Sequence, residues 1–170
     1  MSGTRRQVVA LVLSLPMTAR AADPACTLPV EARVLDWRSP ELGLRMRHPD
    51  SFSLASATPD TARFVSLDGQ ASATVTAIRN GLRQDLAAVM AEARQDITGN
   101  SGGEITYSRT KDNWFVLSGF MAGRIFYRRS LIPADGRMIG TLWVEFPRAL
   151  KPCFEAAVTT MSLSFREMPG

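Results

Sequence analysis

The segment 114–121, with the sequence WFVLSGFM, constrains the fold more than any other part of the chain. Successive side chains of a β-strand point to opposite faces of its sheet. On one face this segment places Trp114, Val116 and Phe120, and on the other Phe115, Leu117 and Met121. A sheet with one face in water does not need a strand that is apolar on both faces. We therefore expect a sheet that is covered from two sides.

Three neighbouring segments extend this strand into a meander. The predicted strands span 105–109, 114–121, 124–132 and 138–146, and short turns rich in Gly, Asp and Asn separate them. Two amphipathic segments, 82–97 and 152–165, have apolar residues at the 3.6-residue helical period. Asn80 is expected to cap the first helix and Gly99 to end it. The pattern predicts an α+β fold, an antiparallel β-sheet flanked by helices.

The region before this meander contains weaker signals. Residues 34–37 favour a strand within an extended arm, and residues 44–47 alternate before a turn at 48–50. The polar stretch that follows, up to Thr61, predicts no element. Segments 63–67 and 71–78 are joined by Asp68 and Gly69, a pair typical of a tight β-hairpin turn.

The first 21 residues have the features of a secretory signal peptide. Arg5 and Arg6 precede the apolar run 8–15, and Ala19 and Ala21 provide small residues before a cleavage site. Both the general secretory and the twin-arginine routes fit this segment. The predicted organisation is a signal peptide over 1–21, an extended arm over 22–40 and a single domain over 41–170. A soluble periplasmic or secreted protein is expected, since no segment is long enough to span a membrane.

Removing this leader also removes most of the basic character of the chain. The whole chain has 20 Lys and Arg against 16 Asp and Glu, whereas the mature 149 residues have 17 against 16. Nucleic acid is therefore not an expected partner. Arg128 and Arg129 beside Tyr127, together with Arg45 and Arg47, resemble basic patches with aromatic neighbours. We interpret them as solvated strand edges that discourage sheet-to-sheet pairing.

Cys26 and Cys153 are the only cysteines of the chain. In an oxidising compartment an even number of cysteines normally indicates a disulfide, here between the arm and the last helix. The alternative is a redox-active or metal-binding pair. Neither a Cys-x-x-Cys spacing nor an adjacent histidine supports that alternative.

The order of the elements resembles the PsbP-like α/β/α sandwich, which occurs in photosystem-associated proteins, Ran-binding proteins and bacterial envelope proteins. Segments 105–107, 114–119 and 123–127, followed by Phe146 and Pro147, also resemble an uncharacterised family of exported proteobacterial proteins. These segments consist of strand aromatics and turn glycines, so the resemblance implies a fold and brings no catalytic residues. The PsbP-like relatives imply protein partners.

One stretch resembles a catalytic motif. Ser101 lies in the segment GNSGG, which is similar to the nucleophile loop of chymotrypsin-like and HtrA-like serine proteases, and His48 and Asp85 precede it in the order of the chymotrypsin triad. Asp85 is equally expected in the first turn of a helix, and the Gly-rich stretch is equally a helix stop. His48 is the only histidine, and no metal-ligand cluster or phosphate-binding glycine loop occurs. No metal or cofactor is predicted.

The last helix has no charged residue between Glu155 and Arg166. Its off-stripe face includes a candidate partner-facing surface of Thr159, Thr160, Ser162 and Ser164. The alternative is a helix partly covered by the arm that Cys26 anchors. We predict an exported, non-enzymatic binding or accessory protein of the cell envelope. A small serine hydrolase using Ser101 and a carrier of an apolar ligand between helix and sheet are the alternatives.

Overall fold

The computed structural model describes residues 26–27 and 32–169. The predicted signal peptide and most of the arm before residue 32 lie outside the described residues. In chain order the elements are β1 (Val34–Ser39), β2 (Leu44–Pro49), β3 (Phe52–Ala57), β4 (Thr61–Ser66), β5 (Ser72–Arg79), α1 (Leu86–Gln95), β6 (Glu104–Lys111), β7 (Trp114–Met121), β8 (Arg124–Leu131), β9 (Met138–Pro147), α2 (Lys151–Ser164) and β10 (Arg166–Glu167).

Two antiparallel sheets form the β structure. Strands β3-β4-β5-β9-β8-β7-β6 build a seven-stranded sheet in that spatial order, and β1-β2-β10 build a three-stranded one. The small sheet and α2 pack on one face of the large sheet, and α1 packs on the other. The α+β class with a helix-flanked antiparallel sheet is confirmed. The small sheet was not predicted as a separate sheet, because its third strand, β10, comes from the opposite end of the domain from β1 and β2.

Both faces of β7 are packed against apolar clusters, as predicted. Trp114 and Phe120 pack into a cluster that contains Phe154 and Met161 of α2. Phe115 and Leu117 belong to a second cluster, which contains Val89 of α1. Complete burial of each Phe or Leu contributes roughly 1.5–3 kcal/mol. Because both faces of β7 are buried in this way, the sheet needs a cover on each side.

The region before the hairpin contains a strand that was not predicted. The segment 52–57 (FSLASA) pairs with β4 as the outer strand β3, and its side chains beyond Phe52 are exposed. Ser and Ala side chains give little strand signal, and exposure on both sides removes the alternation that reveals a strand. His48 and Pro49 also belong to β2, so the turn begins at Asp50, two residues later than expected. The hairpin itself is confirmed, with Gly69 at φ 70° in its turn.

The first helix begins later than predicted. Asp85, and not Asn80, is its N-cap, and its carboxylate accepts a hydrogen bond from the Ala88 amide at 2.8 Å. Leu82 lies before the helix and is 84% exposed. Asn80 is buried in the preceding turn, where its amide group donates to Gln84 O at 2.9 Å and to Gly136 O at 3.1 Å. The helix also continues past Gln95 as a π-helical turn, Asp96–Asn100, so Gly99 lies inside that turn.

As predicted, Cys26 and Cys153 form a disulfide. Cys153 lies in the first turn of α2. Pro152 fits in the same turn because backbone amides there have no acceptor within the helix, so the lack of an N–H group costs no hydrogen bond. The neighbouring Thr27 donates a hydrogen bond to Asp68 in the β4–β5 turn. The start of the described chain is therefore attached both to α2 and to one end of the large sheet. No helix in the described part of the chain is long and apolar enough to cross a membrane.

Candidate binding groove between the large sheet and the C-terminal segment

The floor of the candidate site is one face of strands β6 to β8. Arg109 lies opposite Val116, and Val116 lies opposite Arg129 on the next strand. In the adjacent row, Lys111 lies opposite Trp114. Directly opposite residues share a sheet face, so these cations and the indole ring point to the same side.

The opposite wall of the groove forms where α2 ends. The side chain of Phe165 is buried, and the chain then continues as β10, in which Arg166 pairs with Arg45 of β2. A cavity of about 340 Å³ lies between this segment and the sheet. Its lining includes Arg45, Arg129 and Arg166 together with Trp114 and Glu167. Glu167 is the only carboxylate side chain among the described lining residues.

Arg129 stacks on the tryptophan at the floor of this groove. Its Cζ lies 4.1 Å from the centre of the Trp114 ring, and the Cζ of Arg109 lies 5.9 Å from the same centre. A cation over an indole face is stabilised by the negative potential of the ring. Burial lowers the pKa of the Arg129 guanidinium, with the nearby Tyr127 acting in the opposite direction. The guanidinium nevertheless stays protonated at neutral pH, because its ordinary pKa is so high.

Two guanidinium groups in the groove have a buried Nε atom. The Nε atoms of Arg45 and Arg129 are shielded from solvent, and no described residue accepts a hydrogen bond from either. A buried donor without an acceptor costs about 1–3 kcal/mol. In addition, Arg38, Arg45 and Arg166 lie directly opposite one another across β1, β2 and β10. Like charges in that position are destabilising, so the folded chain maintains this cluster at a cost.

This arrangement suits the binding of an anion. A guanidinium presents a rigid fork of N–H donors that matches the two oxygens of a carboxylate or phosphate. The cavity lining contains no nucleophile paired with a base among the described residues, so the groove offers recognition without an evident reactive group. No group of potential metal ligands was found in the part of the chain that the structure describes.

The predicted basic patches occupy different positions from those expected. Strand β8 lies between β7 and β9, and β2 lies between β1 and β10, so neither is an edge strand of its sheet. The interpretation of these arginines as edge protection is therefore wrong. Arg128 faces the opposite side of the sheet from Arg129, with its Cζ 5.9 Å from the Phe115 ring centre and its Nε donating to Ser130 at 3.1 Å.

Burial also affects the pKa of Arg128. Burial lowers the pKa of its guanidinium, and the carboxylates of Asp96 and Glu92 act against that effect. Arg128 thus has acidic neighbours on the α1 side, whereas Arg129 faces the groove and its other arginines. Alternation along the strand puts two successive arginines on opposite faces. The sequence alone did not show which face would carry the groove.

The three residues of the suspected protease triad are not brought together. His48 is buried on the α2 side of the large sheet against Phe64, and its Nδ1 is hydrogen-bonded to Pro49 O at 2.9 Å. Asp85 is engaged as the cap of α1. Ser101 is exposed at the end of the π-helical turn that follows α1 on the opposite face. The large sheet therefore lies between Ser101 and the imidazole of His48, and the hydrolase alternative loses its geometric basis.

The candidate partner-facing residues of α2 do not form one exposed surface. Ser162 is buried and its hydroxyl is hydrogen-bonded to Tyr127 of β8. Ser164 is also buried and accepts a hydrogen bond from the Arg47 amide at 2.8 Å. Thr160 is half-buried beside the disulfide, and Thr159 is exposed. A partner of this helix would therefore contact Thr159, and Thr160 in part, and not the two serines.

The space between helix and sheet, where an apolar ligand was the alternative, is filled by side chains of the protein. Phe115 on the α1 side and Phe154 and Met161 on the α2 side are completely buried at these interfaces. A further cavity of about 280 Å³ lies at the surface beside the disulfide, next to Val34 and Ala156. The candidate binding sites of the described residues therefore lie at the surface.

Solved structures share this architecture. The Ran-binding protein Mog1p of Saccharomyces cerevisiae is similar with a TM-score of 0.62 and 10% identity over 81% of this chain and 96% of that one. Cyanobacterial PsbP from Synechocystis is similar with a TM-score of 0.59 and 12% identity over 81% and 94%. A Pseudomonas aeruginosa protein of unknown function, PA94, gives 0.51 and 12% over 81% and 99%.

These similarities define the class of fold, an α+β fold of the PsbP and Mog1 type. At this level of identity they establish the fold alone. No family model matches the chain, and no curated protein matches it. The resemblance to exported proteobacterial proteins stays a prediction.

Proposed function

We propose that this chain is an exported accessory protein of the cell envelope that binds a partner through the groove between β6–β8 and the C-terminal segment. The leader pattern of residues 1–21 and the Cys26–Cys153 disulfide support export, because disulfides persist in oxidising compartments. The similarity to the fold of a Ran-binding protein supports a binding role by analogy.

One observation carries the choice of the groove. Arg45 and Arg129 both line a cavity with Trp114 on its floor, and the buried Nε atom of each has no acceptor among the described residues. Satisfied donors are the rule in protein interiors, and each exception calls for an explanation. A bound partner that supplies oxygen acceptors in the cavity would place negative charge beside both guanidinium groups, which have no carboxylate or other acceptor for these Nε atoms among the described residues.

A crosslinking experiment in cells tests this proposal. A photoreactive amino acid replaces Asn113 at the edge of the groove in the full-length protein, and a matched probe replaces Leu67 in the β4–β5 turn. We expect a discrete envelope protein to crosslink at position 113 and not at position 67. Arg129→Gln should abolish that crosslink. Equal crosslinking at position 113 in the wild type and in the Arg129→Gln variant would contradict the proposal.

Arg128→Gln is the matched control for Arg129→Gln. The two arginines are adjacent on β8, each lies over an aromatic ring, and they face opposite sides of the sheet. Loss of one positive charge from β8 is therefore the same in both variants, but only Arg129 lines the groove. The crosslink should persist in the Arg128→Gln protein.

Fractionation tests the export part of the proposal separately. In a Gram-negative host, the chain with residues 1–21 intact should appear in the periplasmic fraction with Ala22 as its first residue. Replacing Arg5 and Arg6 with Asn should reduce the exported amount. A cytoplasmic product that retains Met1 would contradict export without affecting the groove.

A further inference from the structure

We infer that the groove recognises an acidic peptide segment through its carboxylates, an inference that rests on the proposed function and names its ligand. The donors are the guanidinium groups of Arg45, Arg129 and Arg166 around one cavity. A carboxylate accepts two parallel hydrogen bonds from one guanidinium, which gives this pairing its directionality.

The positive charge of the groove extends to the outer strand of the large sheet. Arg109 and Lys111 of β6 share the face of Arg129, and the side chain of Lys111 is 59% exposed. Within the described residues, β6 pairs only with β7, so this side of the groove is open. The cations thus follow a line from the C-terminal segment to the sheet edge. A chain with several carboxylates matches such a line better than one small anion does.

Aromatic rings along the same line provide contacts for the rest of a peptide. Trp114 forms the floor between Arg109 and Arg129, and Tyr107 of β6 is 50% exposed on that face. Partly exposed aromatic side chains and arginines are the residue types most often responsible for protein–protein affinity. Their combination here fits a short acidic segment of a protein partner.

Single-stranded nucleic acid also binds to grooves that combine arginine with aromatic rings, but the charge pattern here disfavours it. The mature chain has 17 cations against 16 anions, which gives no general attraction for a polyanion. Glu167 lies in the groove, and Asp112 lies 4.0 Å from the Lys111 ammonium. A continuous phosphate backbone would be repelled at both positions, whereas a peptide can place its carboxylates between them.

Fluorescence anisotropy with a fluorescein-labelled hexaglutamate peptide tests this inference on the oxidised mature protein. We expect saturable binding that weakens as salt is raised, and no binding of the matched hexaglutamine peptide. Arg129→Gln should weaken hexaglutamate binding about tenfold, and Arg128→Gln should leave it within about twofold. Arg109→Gln changes an exposed side chain, so this variant tests the line of charge without disturbing a buried group.

Other probes give results that would overturn the inference. A labelled oligothymidine that binds more tightly than hexaglutamate would identify a nucleic-acid groove. Inorganic phosphate would identify a small-anion site if it displaced hexaglutamate at a phosphate concentration equal to the concentration of glutamate carboxylates. Hexaglutamate binding that is equal in the wild type and the Arg109→Gln and Arg129→Gln variants would place binding outside the groove, and absence of binding would exclude acidic peptides.

The two proposals fail in different ways. If hexaglutamate does not bind but the crosslink at position 113 still depends on Arg129, the ligand class is wrong and the binding role stands. If hexaglutamate binds through Arg129 but no envelope protein crosslinks at position 113, the accessory role fails. Thermal unfolding of each variant shows whether a loss of binding reflects a loss of fold.

Discussion

The backbone carbonyl of Glu104 lies where a Cβ atom on residue 119 would stand, so β6 and β7 approach each other closely only because residue 119 is glycine. This contact lies where the register of the two strands shifts, between Ile105 and Tyr107. Gly119→Ala should therefore push β6 away from β7 and lower the free energy of unfolding by about 1–3 kcal/mol, as overpacking does. Urea unfolding followed by circular dichroism measures the change.

Gly81→Ala is the control for that substitution. Its φ is not in the left-handed region, and no described atom lies within 4 Å of a Cβ at that position. We expect its free energy of unfolding to stay within about 0.5 kcal/mol of the wild type. Equal effects of the two substitutions would show that the close approach at Gly119 is unimportant.

The disulfide should contribute much of the stability of the mature domain. Cys26 and Cys153 are 127 residues apart, and closure of such a long loop in the unfolded chain corresponds to about 4–5 kcal/mol in the chain-entropy model. Replacing both cysteines with serine should lower the melting temperature, and dithiothreitol should lower that of the wild type but not that of the double variant. A wild-type melting temperature that is insensitive to reduction would contradict this prediction.

The hydrogen bond between Tyr127 and Ser162 joins an interior strand to α2. Tyr127→Phe should lower the free energy of unfolding by about 1–3 kcal/mol because the buried Ser162 hydroxyl loses its partner. Ser162→Ala in the Tyr127→Phe background should cost less than Ser162→Ala alone. Additive costs in this double-mutant cycle would show that the bond contributes nothing.

Tyr127 also makes stability depend on pH. Burial raises the pKa of its phenol above the ordinary 10.0, while the bond with Ser162 and the charge of Arg129 act against that effect. The unfolded chain therefore loses this proton at a lower pH than the folded chain. The contribution of the protonated Tyr127 phenol to the free energy of unfolding is complete below pH 10 and declines as pH rises towards the folded pKa. The Tyr127→Phe protein lacks this pH dependence. Unfolding in urea between pH 8 and 11 measures the difference between the two proteins.

Capping of α1 offers a further test. Asp85→Ala removes the bond to the Ala88 amide and should cost about 0.5–2 kcal/mol. Asn80→Ala should cost more, because Asn80 is buried and exchanges hydrogen bonds with Gln84 and donates one to Gly136. A neutral Asp85→Ala substitution would mean that the cap is not needed. Chemical denaturation of both variants gives the comparison.

Local sequence patterns were sufficient for the elements whose signal lies within one segment. Apolar residues on both faces of segment 114–121 revealed a strand buried on both sides, and Asp68 with Gly69 revealed a hairpin. The helix start was placed too early because Asn80 and Asp85 are both good capping residues, and only tertiary contacts distinguish them. Asn80 is used instead to hold the turn beside Gly136.

The groove was beyond such patterns because its residues come from distant parts of the chain. Arg45 and Arg166 become neighbours only through the pairing of β2 with β10, a strand of two residues that has no sequence signature. The sequence places Arg129 in a basic patch, but whether Arg129 lines a groove depends on which face of the sheet is left partly uncovered. The alternation rule separates Arg128 from Arg129, and it does not say which one faces a cavity.

Pro169 lines the groove, and this position affects how the protein should be handled in the laboratory. A purification tag fused directly after Pro169 would start at the lining of the cavity and, if it carried acidic residues, would act as a tethered competitor. Gly102 is exposed near the end of α1 on the opposite face of the large sheet, with no described atom within 4 Å of a Cβ there. An epitope inserted at Gly102 leaves the arginines accessible for immobilised assays.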